Sequence, residues 1–410
     1  VLVVDAKGDG DLASKLGAYA EEFGRPFYHF SIPFSTSAPY IGPSERGRSF
    51  YDPAGLSAGN HTRRLDFMMN ARDWKGAPAV YSDKTRDWLS RALWVDNVVA
   101  ECNGGRPLES VQQATFARVA DLMSPITTRH YLREAANMFG VEAIDAAFGT
   151  TTYDSIMAEL DAYASTNDPT GESARMSHAA WLRTFMSSVT GPYLMDTGDE
   201  RTIDIGRIVD ERAVCIFDLA TDQYREEAPA IARLVVADLL SYISSAGKAD
   251  GLRLRVFLDE FAAVGGDESA NVLARARSAG VSFTLSTQTL SDLRDVSDAF
   301  EGQVLTNSLN LLVHNASTWE EAERLAGMTG QIEQERVTKS LRMDGVEGPR
   351  TKSVSTEKRY RIEPSEFMEM GVGELIKISQ VEKGAGKASK IGVVMPPRLE
   401  GTIYTVDGYT

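Results

Sequence analysis

The first thirty residues alternate strand, helix and strand, and that order leaves few folds open. "VLVVD" (1–5) is a short apolar run ending in Asp. "DLASKLGAYAEEFG" (11–24) carries apolar residues at helical spacing and closes on Gly24, a helix-stop signal. "RPFYHFSI" is a second strand-like run. A β–α–β unit of this length implies a parallel sheet. The same alternation returns late in the chain. "AVCIFDLA" (213–220) is followed by the long helical stretch "APAIARLVVADLLSYISSAG", and then by "LRVFLDE", "VSFTLSTQ" and "LNLLVHNA".

Between these stretches the strand signal disappears. Residues 33–60 are rich in Pro, Ser and Gly and read as a long surface loop, followed by a helix over "HTRRLDFMMNARDW". From about 105 to 195 only helical periodicity is present, in "LESVQQATFARVADLMS", "TRHYLREAANMFG", "YDSIMAELDAYAS" and "ARMSHAAWLRTFMSSV", with a polar linker "STNDPTGES" splitting the group. The expected organisation is an α/β host (1–104 and 196–410) that carries an inserted all-helical domain (105–195). The last part turns to β character in "ERVTKSL", "TKSVSTEKRYRI", "ELIKISQV" and "KIGVVMPP".

Composition narrows the class. The 410 residues suffice for two or three domains, and 43% hydrophobic with 25% charged residues is ordinary for a globular protein. No apolar run reads as the ~18–20 residues of a membrane span, and no signal peptide is visible. The chain opens inside a core strand without an initiator Met, so it is expected to be a fragment of a longer protein, with room for an anchor upstream. Cys102 and Cys215 suggest no disulfide framework, and the five histidines have no ligand spacing. A net charge of −15 argues against a general nucleic-acid coat, but is compatible with a ring that is acidic outside and basic in its pore.

The chemistry gathers at strand ends. Asp259 and Glu260 follow the apolar run of "LRVFLDE", at the sheet edge where α/β folds bind ligands. There an Asp can help to hold Mg²⁺ and a Glu can polarise a water as a general base. The alternative is a strand that merely ends in an acidic turn. Gln288 closes "VSFTLSTQ", read as a buried strand, where its amide could sense a γ-phosphate or cap the strand. Arg275 and Arg277, in "NVLARARSAG", are either solvated surface or a finger for phosphoryl charge. Asp5, Lys7 and Asp9, in "DAKGDGD", could approach phosphate or make a plain βα turn. The phosphate-loop motif G-x-x-x-x-G-K-[ST] occurs nowhere in these residues. Gly247-Lys248 and Gly386-Lys387 are each followed by Ala and read as turns. Residues 336–361 concentrate Lys and Arg, either to track a nucleic-acid backbone or as a solvated β-hairpin.

Taken in order, "VLVVDAKGD", "SFYDPAGLSAGN", "FLDEFAAVG", "ARARSAGVSFTLSTQTLSDL" and "FMEMGVGELIKIS" resemble the TraG/TraD-type coupling ATPases of conjugative and type IV secretion systems, relatives of the FtsK/HerA DNA-pumping motors. The resemblance covers most of the chain, including the helical insertion. It implies a RecA-like P-loop NTPase domain, usually a homo-hexamer, that hydrolyses ATP with Mg²⁺ to move DNA. Asp259 then matches the Mg²⁺-binding position, Glu260 the general base, Gln288 the sensing amide and Arg277 the trans arginine. The resemblance leaves the role of Asp5 and Lys7 open. It further implies a location on the cytoplasmic face of the bacterial inner membrane. The implied partners are DNA, a relaxase or effector protein bound through the helical domain, and secretion-channel proteins. The phosphate loop of the family precedes the "DAKGD" strand, so this chain alone is expected to be inactive. An FtsK/HerA-type translocase and a non-hydrolytic substrate receptor are the alternative readings.

Overall fold

The computed structural model describes residues 1–8, 11–32, 49–56, 59–74, 76–196, 198, 200–245, 254–264, 276, 279–339, 352–381 and 388–392. By contacts the chain divides into two compact units, Val1–Ser286 with Gly401–Thr410, and Thr287–Glu400.

The first unit is built on a five-stranded sheet. Its strands are β1 (Leu2–Asp5), β2 (Phe27–Ser31), β3 (Val214–Asp218), β4 (Arg255–Leu258) and β5 (Ser282–Leu285), in the order β2-β3-β1-β4-β5. Every pairing is parallel. A parallel sheet is covered on both faces, which is why Leu2, Val3, Val4 and all of β3 are buried. Helix α1 (Asp11–Glu22) supplies one cover: its Ala13 packs with Val3 and Ile216, and Leu16 lies against them. The two outer strands on the other side differ. Arg255 and Phe257 of β4 are exposed while Val256 and Leu258 are buried, and edge strand β5 alternates exposed and half-buried residues. The expectation that β5 is a buried strand therefore fails in the described residues.

A dense block of helices follows β2. Helices α2 (His61–Ala71), α3 (Ala79–Cys102), α4 (Thr115–Leu122), α5 (Pro125–Phe139), α6 (Val141–Phe148), α7 (Tyr153–Ser165) and α8 (Pro169–Ser187) follow one another with no strand between them among the described residues. The 24-residue α3 contacts α2, α4, α5, α6 and α8 and buries Trp88, Leu89, Leu93 and Val99. The supposed linker "STNDPTGES" is mostly helix start. Asp168 is the N-cap of α8, its side chain accepts from the Gly171 N–H at 3.0 Å, and Pro169 sits in the first turn, where its missing N–H costs nothing.

A buried charge network holds this block. Asp96 of α3 is fully buried between Arg64 of α2 (2.7 Å) and Arg118 of α4 (3.0 Å), and Tyr131 of α5 donates to it at 3.3 Å. Both guanidiniums also donate to backbone carbonyls, Arg64 to Ala54 and Arg118 to Gln112 and Gln113. The two cations hold the Asp96 carboxyl below its usual range despite the opposing effect of burial. Thr115, at the start of α4, donates at 2.7 Å to Asp52 of the "SFYDPAG" stretch, which ties that stretch to the helical block.

After this block come α9 (Ile205–Asp210), α10 (Glu227–Ser245) and the four-residue α11 (Phe261–Val264). Helix α10 is long and apolar enough to cross a membrane, the only such helix among the described residues. Its polar contacts are those of a core helix. Asp238 accepts from Tyr51 and Arg63, both at 3.2 Å, and Arg233 donates to the Ala71 carbonyl at the end of α2.

The second unit has a three-stranded antiparallel sheet, β6 (Asn310–Val313), β9 (Glu374–Ser379) and β10 (Ala388–Gly392), with β9 in the middle. Its core gathers Ala322, Leu325, Ala326, Phe367, Ile376 and Ile378. Strands β7 (Gln331–Lys339) and β8 (Lys352–Tyr360) form a separate antiparallel ribbon, the hairpin alternative for the basic segment.

Burial pushes the Asp52 carboxyl up from 3.8 to about 6, against the Thr115 hydrogen bond and the charges of Arg118 and Arg64. A carboxyl raised on folding stabilises the fold below its unfolded pKa, and that contribution is lost as pH rises through about 6. Asp52→Asn is therefore expected to raise stability by about 2–3 kcal/mol near pH 7.5 and by almost nothing near pH 3, below the unfolded pKa. Urea midpoints at the two pH values check this.

Candidate active site

The strands of a parallel sheet all end on one edge, and here that edge gathers carboxylates. Asp5 closes β1, Asp218 closes β3, and the two are register partners. Val4 pairs with Leu258, so Asp259 follows on the neighbouring strand, its N–H donating to the Val4 carbonyl at 2.9 Å. The loops beyond continue the pairing: Leu219 N–H donates to Asp5 O at 2.9 Å, and Thr221 N–H to Ala6 O at 2.7 Å. Burial raises the Asp5 carboxyl above its ordinary range. The Gly8 and Lys7 N–H groups work against that rise, and the charges of Asp218 and Asp259 add to it.

Asp5 is engaged in its own turn. Its Oδ1 accepts from Lys7 N (3.0 Å) and Gly8 N (3.3 Å), while the Lys7 side chain is exposed. Gly8 has φ +65°, and a Cβ there would lie 2.3 Å from Ala220 N. This is the geometry of the βα-turn alternative, with the chain pressed against the β3 loop. The sequence reading missed Asp218, although "VCIFD" carries the same signal as "VLVVD", an apolar run ending in Asp. Asp218 Oδ2 lies 3.6 Å from His29 Nε2 of β2, and both side chains are buried.

Glu260 has φ +47°, a left-handed conformation that an ordinary side chain adopts at a cost of about 1–3 kcal/mol. Strain of this kind collects at functional sites. The turn is clamped by the end of β5. Ser286 Oγ donates to Asp259 Oδ1, and Glu260 N–H donates to Ser286 Oγ at 3.4 Å. Ser286 O accepts from Phe261 N at 2.8 Å. Asp259 and Glu260 are both half-buried and remain within reach of solvent.

Gln288 does not close a strand. β5 ends at Leu285, and Gln288 is an exposed residue of the second unit. Arg277, Arg275, Asp9 and both Gly-Lys pairs lie outside the described residues, as do residues 340–351 of the basic segment.

Among the described residues no cluster of three or more His, Cys, Asp or Glu is poised for a metal ion. The oxygen donors at this edge still suit Mg²⁺, which keeps most of its shell for water and phosphate and takes one or two carboxylates from a protein. Asp259 is the residue that would hold it, with nucleotide phosphates completing the shell.

Residues 253–371 match the family model described as "TraM recognition site of TraD and TraG". That stretch is what the chain shares in sequence with the TraG/TraD family. The matched stretch contains the acidic pair, β5 and the β7–β8 ribbon. The fold of this chain is similar to that of the bacterial conjugative coupling protein TrwBdeltaN70 in its unbound monoclinic form. The TM-score is 0.58 at 12% identity, over 96% of this chain and 84% of that one. It is also similar to the plasmid coupling protein TrwB with the non-hydrolysable ATP analogue ADPNP (TM-score 0.57, 14% identity, 96% and 84% covered). The form with ADP and Mg²⁺ gives a TM-score of 0.55 at 14% identity, with 96% and 85% covered. No curated protein sequence matches. The fold class of this chain is thus the RecA-like α/β sheet with an all-helical domain.

The close approach at the βα turn is directly testable. Gly8→Ala combines a left-handed backbone with a clash against the Ala220 backbone, and is expected to lower stability by about 3 kcal/mol or more in urea unfolding.

Proposed function

We propose that this chain is the motor region of a conjugative or type IV secretion coupling protein that hydrolyses ATP to deliver relaxase-bound DNA, or an effector protein, to a secretion channel. The observation that carries the reading is the coincidence of the TraG/TraD match with the acidic strand end of a parallel sheet. The position of Asp259 and Glu260 just beyond β4 supports it, since open α/β sheets take ligands outside the carboxyl ends of their strands.

In this reading Asp259 binds the cation that accompanies ATP, and the cation neutralises charge on the phosphates. Glu260 takes the proton of the attacking water. Its partial exposure and its strained turn fit a residue that solvent can reach. Arg277 reaches the phosphates of a neighbouring copy in a hexamer. Asp5 and Lys7 line the phosphate side of the site, with Asp5 shaping the turn. The helical domain at 105–195 receives the relaxase or effector, and 253–371 receives an accessory protein of the TraM kind, as the family description suggests. The motor works at the cytoplasmic face of the bacterial inner membrane.

The test is Glu260→Gln in the natural protein that contains this sequence. ATP turnover is expected to fall by about 10²–10⁴-fold, the worth of a general base, while ATP binding is retained. Undiminished turnover in that variant would remove Glu260 from the role.

A further inference from the structure

The clamp at the end of β5 goes beyond the acidic pair itself. Ser286 meets residues 258–261 through four hydrogen bonds. Its N–H donates to Leu258 O at 3.0 Å, and its carbonyl accepts from Phe261 N at 2.8 Å. Its hydroxyl donates to Asp259 Oδ1 and accepts from Glu260 N–H at 3.4 Å. A hydroxyl has one proton to give and lone pairs to receive, and this one uses both functions on two successive acidic residues.

We propose that Ser286 is a positioning residue for the acidic pair, its hydroxyl setting both the carboxylate oxygen that Asp259 leaves for a cation and the left-handed turn that carries Glu260. The proposal rests on the nucleotide-site reading of Asp259 and Glu260. With Oδ1 engaged by Ser286, Oδ2 is the oxygen left for a ligand. A donor on Oδ1 limits rotation of the Asp259 carboxylate. At Glu260 the left-handed backbone turns the N–H toward β5, and the hydroxyl is the acceptor that meets it.

The main-chain bonds of Ser286 do not depend on its side chain, and the side chain is exposed, so its removal leaves strand pairing in place. What changes is the orientation of groups one step from the cation. Outer partners of this kind are worth about 10–100-fold in metal affinity.

The experiment uses the natural protein that contains this sequence, with ATP and Mn²⁺ in place of Mg²⁺. It reads bound Mn²⁺ by electron paramagnetic resonance and the exchange of the Glu260 amide by hydrogen–deuterium exchange. Ser286→Ala is expected to weaken Mn²⁺ binding about 10-fold or more and to speed exchange at Glu260. Ser286→Thr, which keeps the hydroxyl, is expected to restore both. Wild-type Mn²⁺ affinity in Ser286→Ala, together with lost binding in Asp259→Asn, would overturn the role of Ser286 and leave Asp259 as the cation residue. Unchanged Mn²⁺ binding in Asp259→Asn would overturn the underlying reading, and the proposal with it.

Discussion

Parallel pairing of β1 with β3 and β4 is the constraint on which the first unit depends. Parallel strands end together, so whatever follows Val4, Phe217 and Leu258 is delivered to one line. The interior of the sheet is too apolar to keep a carboxylate without partners. At the strand ends Asp5 accepts from the turn that follows it, Asp218 faces His29 and Asp259 accepts from Ser286. The backbone bonds among the three following loops carry the pairing a residue or two further and stiffen the edge. Gly8 belongs to the same constraint, since only a residue without a Cβ fits beside the backbone of Ala220.

The helical block solves a different problem. It has no sheet to cover, and its helices meet around Asp96 with two arginines that are fully buried. Such a cluster is costly to desolvate and severe to break, because losing one partner leaves an unpaired charge inside. It also fixes direction. Arg64 reaches back to the Ala54 carbonyl and Thr115 to Asp52, so the segment that leaves the sheet after β2 is bound to the same centre as α3 and α4. The helical block is thereby joined to the stretch that follows β2 by hydrogen bonds as well as by the chain.

Parts of this were legible in the residues. The βα alternation gave the parallel sheet, because short apolar runs and amphipathic helices have distinct periods. The acidic pair could be read because "RVFLDE" changes from apolar to charged in one step. Other parts were hidden. Helix α3 carries a stripe at Thr85, Trp88, Leu89, Ala92 and Leu93, but the five helices it meets could not be read from it. "STNDPTGES" looked like a linker because capping residues and loop residues are the same kinds of residue. Ser286 was invisible as a partner of Asp259, because 27 residues separate them and nothing in "STQ" says which of its polar groups turns toward the neighbouring strand.

By itself the sequence determined the strand and helix periods, the polar residues that close the apolar runs, and the family resemblance carried by their order. Only tertiary structure decided that Asp218 joins Asp5 and Asp259, that β5 is an edge strand with a half-exposed face, and that Glu260 sits in a strained left-handed turn under the Ser286 hydroxyl. The physical reason is one of range. Periodicity and capping are properties of neighbours along the chain, whereas strand order and side-chain clamps arise only when distant segments compete for the same buried edge.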